Sequence, residues 1–127
     1  MALTLRTPAP RSLTEAMDVL AGWQGDQTPL QLHPGDIGWH LRFGLAQTAD
    51  ALRTFSRDGK ILAIGLLDGP DLLRLAIAPL AHQDMSLAHD LAQQLQARGS
   101  GAPLAQVTSI ELPTGAVLRE MLERCGW

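Results

Sequence analysis

Apolar and polar residues alternate with a period of two in the first stretch of the chain, and short runs rich in apolar residues follow near its middle, two patterns typical of β-strands. Leu3 and Leu5 alternate with polar neighbours before a proline-rich segment, which predicts a short first strand. Residues 51–56 and 61–67 predict two further strands. They are joined through Asp58-Gly59, a pair that supplies the positive φ angles of a tight two-residue turn, so a β-hairpin is expected here.

A helical period appears between the first strand and the hairpin. Ser12 and Glu15 have the spacing of a capping box, and Gly22 is placed to end the helix in a left-handed conformation. The segment 23–50 is interrupted by glycine and proline, so it predicts a loop-rich region with one or two short helical turns.

The second half of the chain alternates strands and helices. Residues 71–78 are apolar almost throughout, which predicts a central strand covered on both faces. A helix over 86–98, a strand over 105–112 and a helix over 114–125 follow. The order predicts an α/β fold of the mixed-sheet type, in which helices flank a central mixed β-sheet and one strand–helix–strand crossover occurs.

Aromatic and imidazole side chains are concentrated in the loop-rich segment. Trp39 and Phe43 lie beside His33 and His40, and rings with imidazoles can line a ligand pocket. The alternative, which we favour, is that the rings anchor a long loop to the core. The two histidines lack a third ligand and a standard spacing, so no metal site is predicted.

Length and composition describe one ordinary globular domain. The 127 residues suffice for one core but not for two, and a net charge of −3 with scattered signs does not favour nucleic acid as a partner. No apolar run is long enough to span a bilayer, and the first residues lack a secretory signal, so a cytoplasmic protein without a membrane partner is expected. The single cysteine, Cys125, predicts a buried structural thiol.

Two stretches of the second half carry more specific patterns. Residues 72–79, LLRLAIAP, are an apolar strand that ends in proline before a helix, and residues 118–127, LREMLERCGW, end in Glu123, Arg124, Gly126 and Trp127. Both resemble the GNAT superfamily, the amine N-acetyltransferases that use acetyl-coenzyme A, and the order of elements is similar over most of the chain. The resemblance implies a GNAT-like fold, acetyl-coenzyme A as cofactor and an amine as acceptor substrate.

The resemblance also implies where the cofactor would bind. Main-chain groups of the central strand would bond to the pantetheine, and the motif [Q/R]-x-x-G-x-[G/A] would hold the pyrophosphate at the start of the next helix. Its basic or amide position falls on His82, and its two small positions fall on Met85 and Leu87. The implied cofactor-binding residues are Leu75, Ile77, His82, Gln83, Asp84, Met85, Ser86 and Leu87.

The sequence departs from this motif at the two small positions, where the backbone would have to approach the pyrophosphate most closely. Glycine lets backbone N–H groups approach a phosphate closely, whereas Met85 and Leu87 are bulky. Asp84 adds a like charge, and no lysine or arginine lies between Arg74 and Arg98. The sequence therefore predicts weak or absent cofactor binding, with Met85 and Leu87 packed where the cofactor would lie.

Two further departures concern catalysis and the end of the chain. The family's closing-helix tyrosine, which protonates the departing thiolate, corresponds to Leu122, and the chain contains no tyrosine. His82 and His89 are alternative acids or bases, although both are better interpreted as exposed residues at the helix start. The family adds one or two strands after a position matching Trp127, so residues 1–127 predict a single domain that lacks these strands, either incomplete at its C-terminus or one half of a larger assembly. Its exposed sheet edge would be completed by a second chain or domain.

Three functions follow as hypotheses. The first is an N-acetyltransferase that uses main-chain groups of Leu75 and Ile77. The second, favoured for this chain, is a non-catalytic structural or regulatory module with the same fold. The third is a domain that binds a small ligand through Trp23, Trp39 and Phe43.

Overall fold

One five-stranded mixed sheet organises the chain. A computed structural model describes residues 3–24, 32–98, 101–113 and 115–127. The strands follow the chain order across the sheet; the first four are antiparallel, and the fifth is parallel to the fourth. This confirms the predicted mixed α/β architecture and its strand–helix–strand crossover. The strands are β1 Thr4–Arg6, β2 Leu52–Arg57, β3 Lys60–Leu67, β4 Leu72–Ile77 and β5 Ser109–Glu111.

Helices cover both faces of the sheet. Side chains of successive strand residues point to opposite faces, so β4 contributes Ala76 to one core and Leu75 and Ile77 to the other. This confirms that the central strand is covered on both sides. The first core includes α1 and α2, and the second includes α4 and α5. The helices are α1 Leu13–Gly22, α2 Pro34–His40, α3 Leu45–Ala51, α4 Met85–Gln96 and α5 Val117–Arg124.

The hairpin between β2 and β3 forms as the Asp-Gly pair predicts. Asp58 has a φ of 55° and Gly59 a φ of 76°, the left-handed values that a tight two-residue turn between twisted strands requires. The helix predicted from residue 86 is also present as α4, with Leu87, Leu91 and Leu95 buried on one stripe.

The predicted ends of the first helix are wrong. A 3₁₀ turn at Pro10–Ser12 precedes α1, so Ser12 already has a helical backbone and its side chain makes no capping hydrogen bond. Gly22 lies within α1 rather than beyond it in a left-handed cap. A capping box occurs instead at α2, where the N–H of His33 donates to Asp36 at 2.8 Å.

The later elements are shorter than predicted. Only Ser109–Glu111 of the strand expected over 105–112 is extended, because Val107 turns back to bond the C=O of Leu104 and Pro113 has no N–H to continue a ladder. The last helix begins at Val117 rather than at residue 114, which lies outside the described residues, as do residues 99 and 100 of the linker that precedes β5.

The loop-rich segment contains α2, α3 and a 3₁₀ turn at Leu41–Phe43, whereas its residues 25–31 lie outside the described part. The interpretation that its rings anchor the loop to the core is wrong for Trp39, which is 71% exposed, and for Phe43, which is 46% exposed, whereas the ligand-pocket interpretation stays a prediction. Ile37 takes the core position of α2, so Trp39, two residues on, lies towards the opposite side of the helix. The guanidinium of Arg42 lies 4.3 Å from the centroid of Trp39 and 4.2 Å from that of Phe43.

Cys125 is exposed, contrary to the expected buried thiol. Leu118 and Leu122 form the buried stripe of α5, but the helix ends at Arg124, and Gly126 with a φ of 96° then turns the chain so that Trp127, and not Cys125, packs against the core. Within the described ranges, no helix is both long enough and apolar enough to cross a lipid bilayer.

Candidate functional site

Strands β4 and β5 part before β4 ends. Their ladder joins three residue pairs, from Leu72 with Ser109 to Arg74 with Glu111, whereas β4 continues to Ile77. In the register of this ladder, the next residue whose N–H would donate to β4 is Pro113, and proline has no N–H. Proline therefore ends the ladder and leaves a gap beside the second half of β4.

The main chain of β4 facing this gap is set by strand alternation. Ala78 donates to the C=O of Leu62 at 2.9 Å, and Asp68 donates to that of Leu72, so even-numbered residues of this strand bond to β3. Odd-numbered residues consequently face β5: the pairing of Arg74 with Glu111 uses the N–H of Leu75, whereas the C=O of Leu75 and both main-chain groups of Ile77 face the gap. Their side chains are buried in the core shared with α4 and α5. Both predicted strand residues thus lie at the gap, Leu75 with its C=O and Ile77 with its N–H and C=O turned towards it.

The side chain of His82 closes part of the gap by bonding to β4. Its Nε2 lies 2.9 Å from the carbonyl oxygen of Ile77, and because a carbonyl can only accept, Nε2 carries the proton. The prediction that His82 is a solvent-exposed helix-start residue is therefore wrong: the ring is part-buried and bonded to the strand.

Two hydrogen bonds join the loops that follow β4 and β5. The C=O of His82 accepts from the N–H of Val117 at 2.9 Å. The side-chain amide of Gln83 donates to the C=O of Gly115 at 2.7 Å. Together they connect the loop before α4 to the start of α5, across the mouth of the gap.

The start of α4 is capped by its own carboxylate. Asp84 precedes the helix with an extended backbone, and its Oδ1 accepts from the N–H of Leu87 at 3.0 Å. A negative charge therefore occupies the position where a helix N-terminus attracts a phosphate. Ser86 is exposed beside it.

The bulky residues of the motif have separate places. Leu87 is 1% exposed and belongs to the core, whereas Met85 is 57% exposed. The prediction that Met85 packs in the place of the cofactor is wrong, because the buried stripe of α4 begins at Leu87 and Met85, in the first turn, is left exposed beside it. The side chain of Met85 therefore does not fill the implied cofactor site.

The candidate acids and bases are dispersed. His89 is exposed on α4, and its Nδ1 lies 3.5 Å from Asp90. Leu122, at the position of the family's tyrosine, is 2% exposed in the apolar core. His82 and His89 lie on the α4 side of the sheet, and neither contacts the charged cluster on the other face.

That cluster is centred on Arg74, a residue that the sequence reasoning passed over. Its Nη1 lies 3.1 Å from Asp36 and 3.7 Å from Asp68, and its Nε lies 3.3 Å from Glu111. It joins α2, the β3–β4 turn, β4 and β5. A charged residue inside an apolar strand that is covered on both faces needs ionic partners. The position of Arg74 within such a strand could therefore have indicated the cluster from the sequence.

The electrostatics of Asp36 favour its charged form. Desolvation raises the pKa of this carboxyl, but the hydrogen bond from the N–H of His33 and the hydrogen bond and charge of Arg74 lower it by more. The pKa therefore lies below its ordinary value of 3.8, which makes Asp36 a weak general base and a good structural anion.

A groove follows the outer edge of β5. The strand pairs with β4 on one side and with no described strand on the other, so the edge expected from the sequence is present. The groove has a volume of about 310 Å³ and lies between β5 and α5. Its lining residues are Thr108, Ser109, Ile110, Leu112, Arg119, Leu122, Glu123 and Trp127.

Comparison with known proteins finds no counterpart for this chain. No family model matches the sequence, and neither a curated protein nor a solved structure is significantly similar to it. Functional inference therefore rests on the geometry of the gap, the charged cluster and the open edge.

Proposed function

We propose that this chain is a GNAT-like domain whose acetyl-coenzyme A site is closed by the chain's own side chains, and that it acts as a non-catalytic structural or regulatory module. The support from architecture is the strand order, with four antiparallel strands, a crossover helix and a parallel fifth strand that parts from the fourth. In the GNAT family such a gap holds the pantetheine, and the following helix N-terminus holds the pyrophosphate.

The observation that carries the proposal is the bonding of His82 and Asp84. The carbonyl of Ile77, available to a pantetheine in the family's arrangement, accepts from His82 at 2.9 Å. The N–H of Leu87, available to a phosphate, donates to Asp84 at 3.0 Å. A bound cofactor would have to displace both of these hydrogen bonds before it could bond to either group.

Charge opposes the cofactor as well. A carboxylate at the start of α4 repels a pyrophosphate at close range, and no lysine or arginine lies between Arg74 and Arg98 to offset it. Arg57, which reaches α4, is already paired with Asp90 at 2.7 Å. The family reaction, acetyl transfer from acetyl-coenzyme A to an amine, is the alternative that the following experiment addresses.

Coenzyme A is expected to leave the melting temperature of the protein unchanged. A ligand at one hundred times its dissociation constant would add about 2.7 kcal/mol and raise the Tm of a chain of this length by roughly 10 °C. Differential scanning fluorimetry with coenzyme A and acetyl-coenzyme A measures this directly. A reproducible rise for the wild type would contradict the closed-site proposal.

The Asp84→Ala variant tests the capping argument in the same assay. Loss of the cap is expected to cost about 1 kcal/mol of stability, whereas the control Asp18→Ala, at an exposed position on α1, should change little. If coenzyme A stabilises Asp84→Ala but not the wild type, then Asp84 is the feature that closes the site.

The second part of the proposal is a partner strand at the edge of β5. Ser109 donates to the C=O of Asp71, so its main chain faces β4, and the main chain of Ile110 faces outwards. An unpaired edge beside a groove that combines apolar and polar lining residues is a template for strand addition. We infer that a strand of another chain pairs there.

Self-association through this edge is expected in solution. Light scattering over a range of concentrations should give a mass above the 13.7 kDa of one chain. Ile110→Pro, which removes the outward N–H, should return the protein to a monomer, and Ile110→Val, which keeps it, should not. A wild-type protein that is monomeric at every concentration would contradict pairing between copies.

A further inference from the structure

A second cavity lies at the opposite edge of the sheet. It has a volume of about 330 Å³ and lies between β1, β2, the hairpin turn and the start of α1. Its polar lining includes Thr4, Arg6, Glu15, Thr54, Ser56 and Asp58. None of the cofactor-binding positions implied by the GNAT resemblance takes part in it.

Strand register explains why polar groups converge there. Thr4 lies opposite Ser56 and Arg6 lies opposite Thr54 in the antiparallel ladder of β1 and β2. Directly opposed residues share a face, and their Cβ atoms are about 5 Å apart. The intervening Phe55 points to the other face, into the core with α4. The sequence therefore builds a four-residue polar platform on the α1 side.

Thr54 is the most telling member of this platform. It is only 7% exposed, yet its hydroxyl makes no hydrogen bond to any part of the chain that the structure describes. Its oxygen is not among the sealed polar atoms that lack a partner, so it opens to the cavity, where water or a ligand can satisfy it. Since Thr54 lines the cavity, its partner would enter through the cavity.

Opposite charges are held apart around the same space. Arg6 lines the cavity together with Glu15 and Asp58, and among the described residues none of these three side chains forms an ion pair. Charges of both signs that face one cavity without meeting each other suit a ligand that carries both signs. A guanidinium is well shaped for a carboxylate, and carboxylates with hydroxyl groups suit an ammonium.

We propose that this cavity binds a small free α-amino acid. The ligand carboxylate would bond to Arg6, its ammonium would face Glu15 and Asp58, and the hydroxyls of Thr54 and Ser56 would complete the set. The volume is at the lower end of small-molecule sites, and no aromatic ring lines it to stack on a base. The inference is independent of the closed-site proposal, because the cavity lies at the far edge of the sheet from β5.

The test is titration of the ¹⁵N-labelled full chain, followed by the chemical shifts of its backbone amides. L-Alanine, L-serine, L-glutamate and L-lysine are added separately to about 10 mM, which reveals dissociation constants in the millimolar range or below. At least one is expected to shift the amides of residues 4–7, 12–16 and 54–61, the stretches that line the cavity. Acetate, methylamine and sorbitol serve as the single-charge and uncharged comparisons.

Substitutions of lining residues test whether the amino acid binds in the cavity. Thr54→Val and Arg6→Gln are each expected to weaken binding about tenfold or more, because each removes a direct bond to the ligand. Thr108→Val makes the same change at the opposite edge and should leave the affinity unchanged. In the free protein Thr54→Val should leave Tm unchanged or raise it, since the hydroxyl it removes has no partner.

Four outcomes would overturn the proposal. They are the absence of shifts with every amino acid, shifts confined to residues outside these stretches, acetate or sorbitol binding as tightly as the amino acids, and unchanged affinity in Thr54→Val. A lowered Tm of the free Thr54→Val protein would indicate that the hydroxyl serves the fold, and it would equally count against a ligand role.

Discussion

Replacement of Arg74 by alanine is expected to lower the free energy of unfolding at pH 7 by about 3 kcal/mol, because it leaves partly buried carboxylates without their shared cation. The side chain of Arg74 is 20% exposed and that of Asp36 is 26% exposed, so solvent screens this cluster less than a surface pair. Urea denaturation measures the loss. The control Arg119→Ala, at an exposed position on α5, should change stability by less than about 0.5 kcal/mol.

The same cluster predicts the pH dependence of the loss. The folded pKa of Asp36 lies below its ordinary value of 3.8, so its contribution is present above that value and is lost as pH falls through the folded pKa. The penalty of Arg74→Ala should therefore shrink below about pH 4. A double-mutant cycle with Asp36→Asn should give a coupling energy of about 1 kcal/mol or more at pH 7. A penalty that stays constant down to pH 3 would contradict the ionic explanation.

Much of the sheet could be predicted because its signals are local. Asp58-Gly59 permits the positive φ angles of its turn whatever surrounds it, and the apolar run of β4 requires cover on both faces. The first helix shows the limit of such reasoning. Ser12 has the residue type of an N-cap, but the helical turn that Pro10 begins places it already inside helical backbone.

The contacts of the candidate site were less accessible to sequence reasoning because they join distant segments. Gln83 bonds to a residue 32 positions away, and Arg74 joins four elements. The sequence identified Asp84 as a misplaced charge, and the structure gives that carboxylate a capping partner. Sequence reasoning also assigned Met85 a packing role, because the size of a residue is visible in a sequence. Its exposure is not, because that depends on where along α4 the buried stripe begins.

Gly65, on β3, shows how tightly the strands behind the gap are packed. A Cβ at this position would lie 2.8 Å from Cδ1 of Leu73 and 3.5 Å from Cδ1 of Leu75. Both leucines are fully buried, so neither can turn towards solvent to make room. Gly65→Ala is therefore expected to destabilise the protein by about 2 kcal/mol, although alanine is otherwise the better residue in a strand.

A compensating substitution makes this explanation testable. Leu73→Val removes the δ-carbons and so vacates the space that the new Cβ needs, at a cost of about 1 kcal/mol when made alone. In the double variant one carbon is gained and one is lost at the same place, so its stability loss in urea denaturation should be at least 0.5 kcal/mol smaller than the sum of the two single losses. Strict additivity would mean that Leu73 is not what excludes a side chain at Gly65.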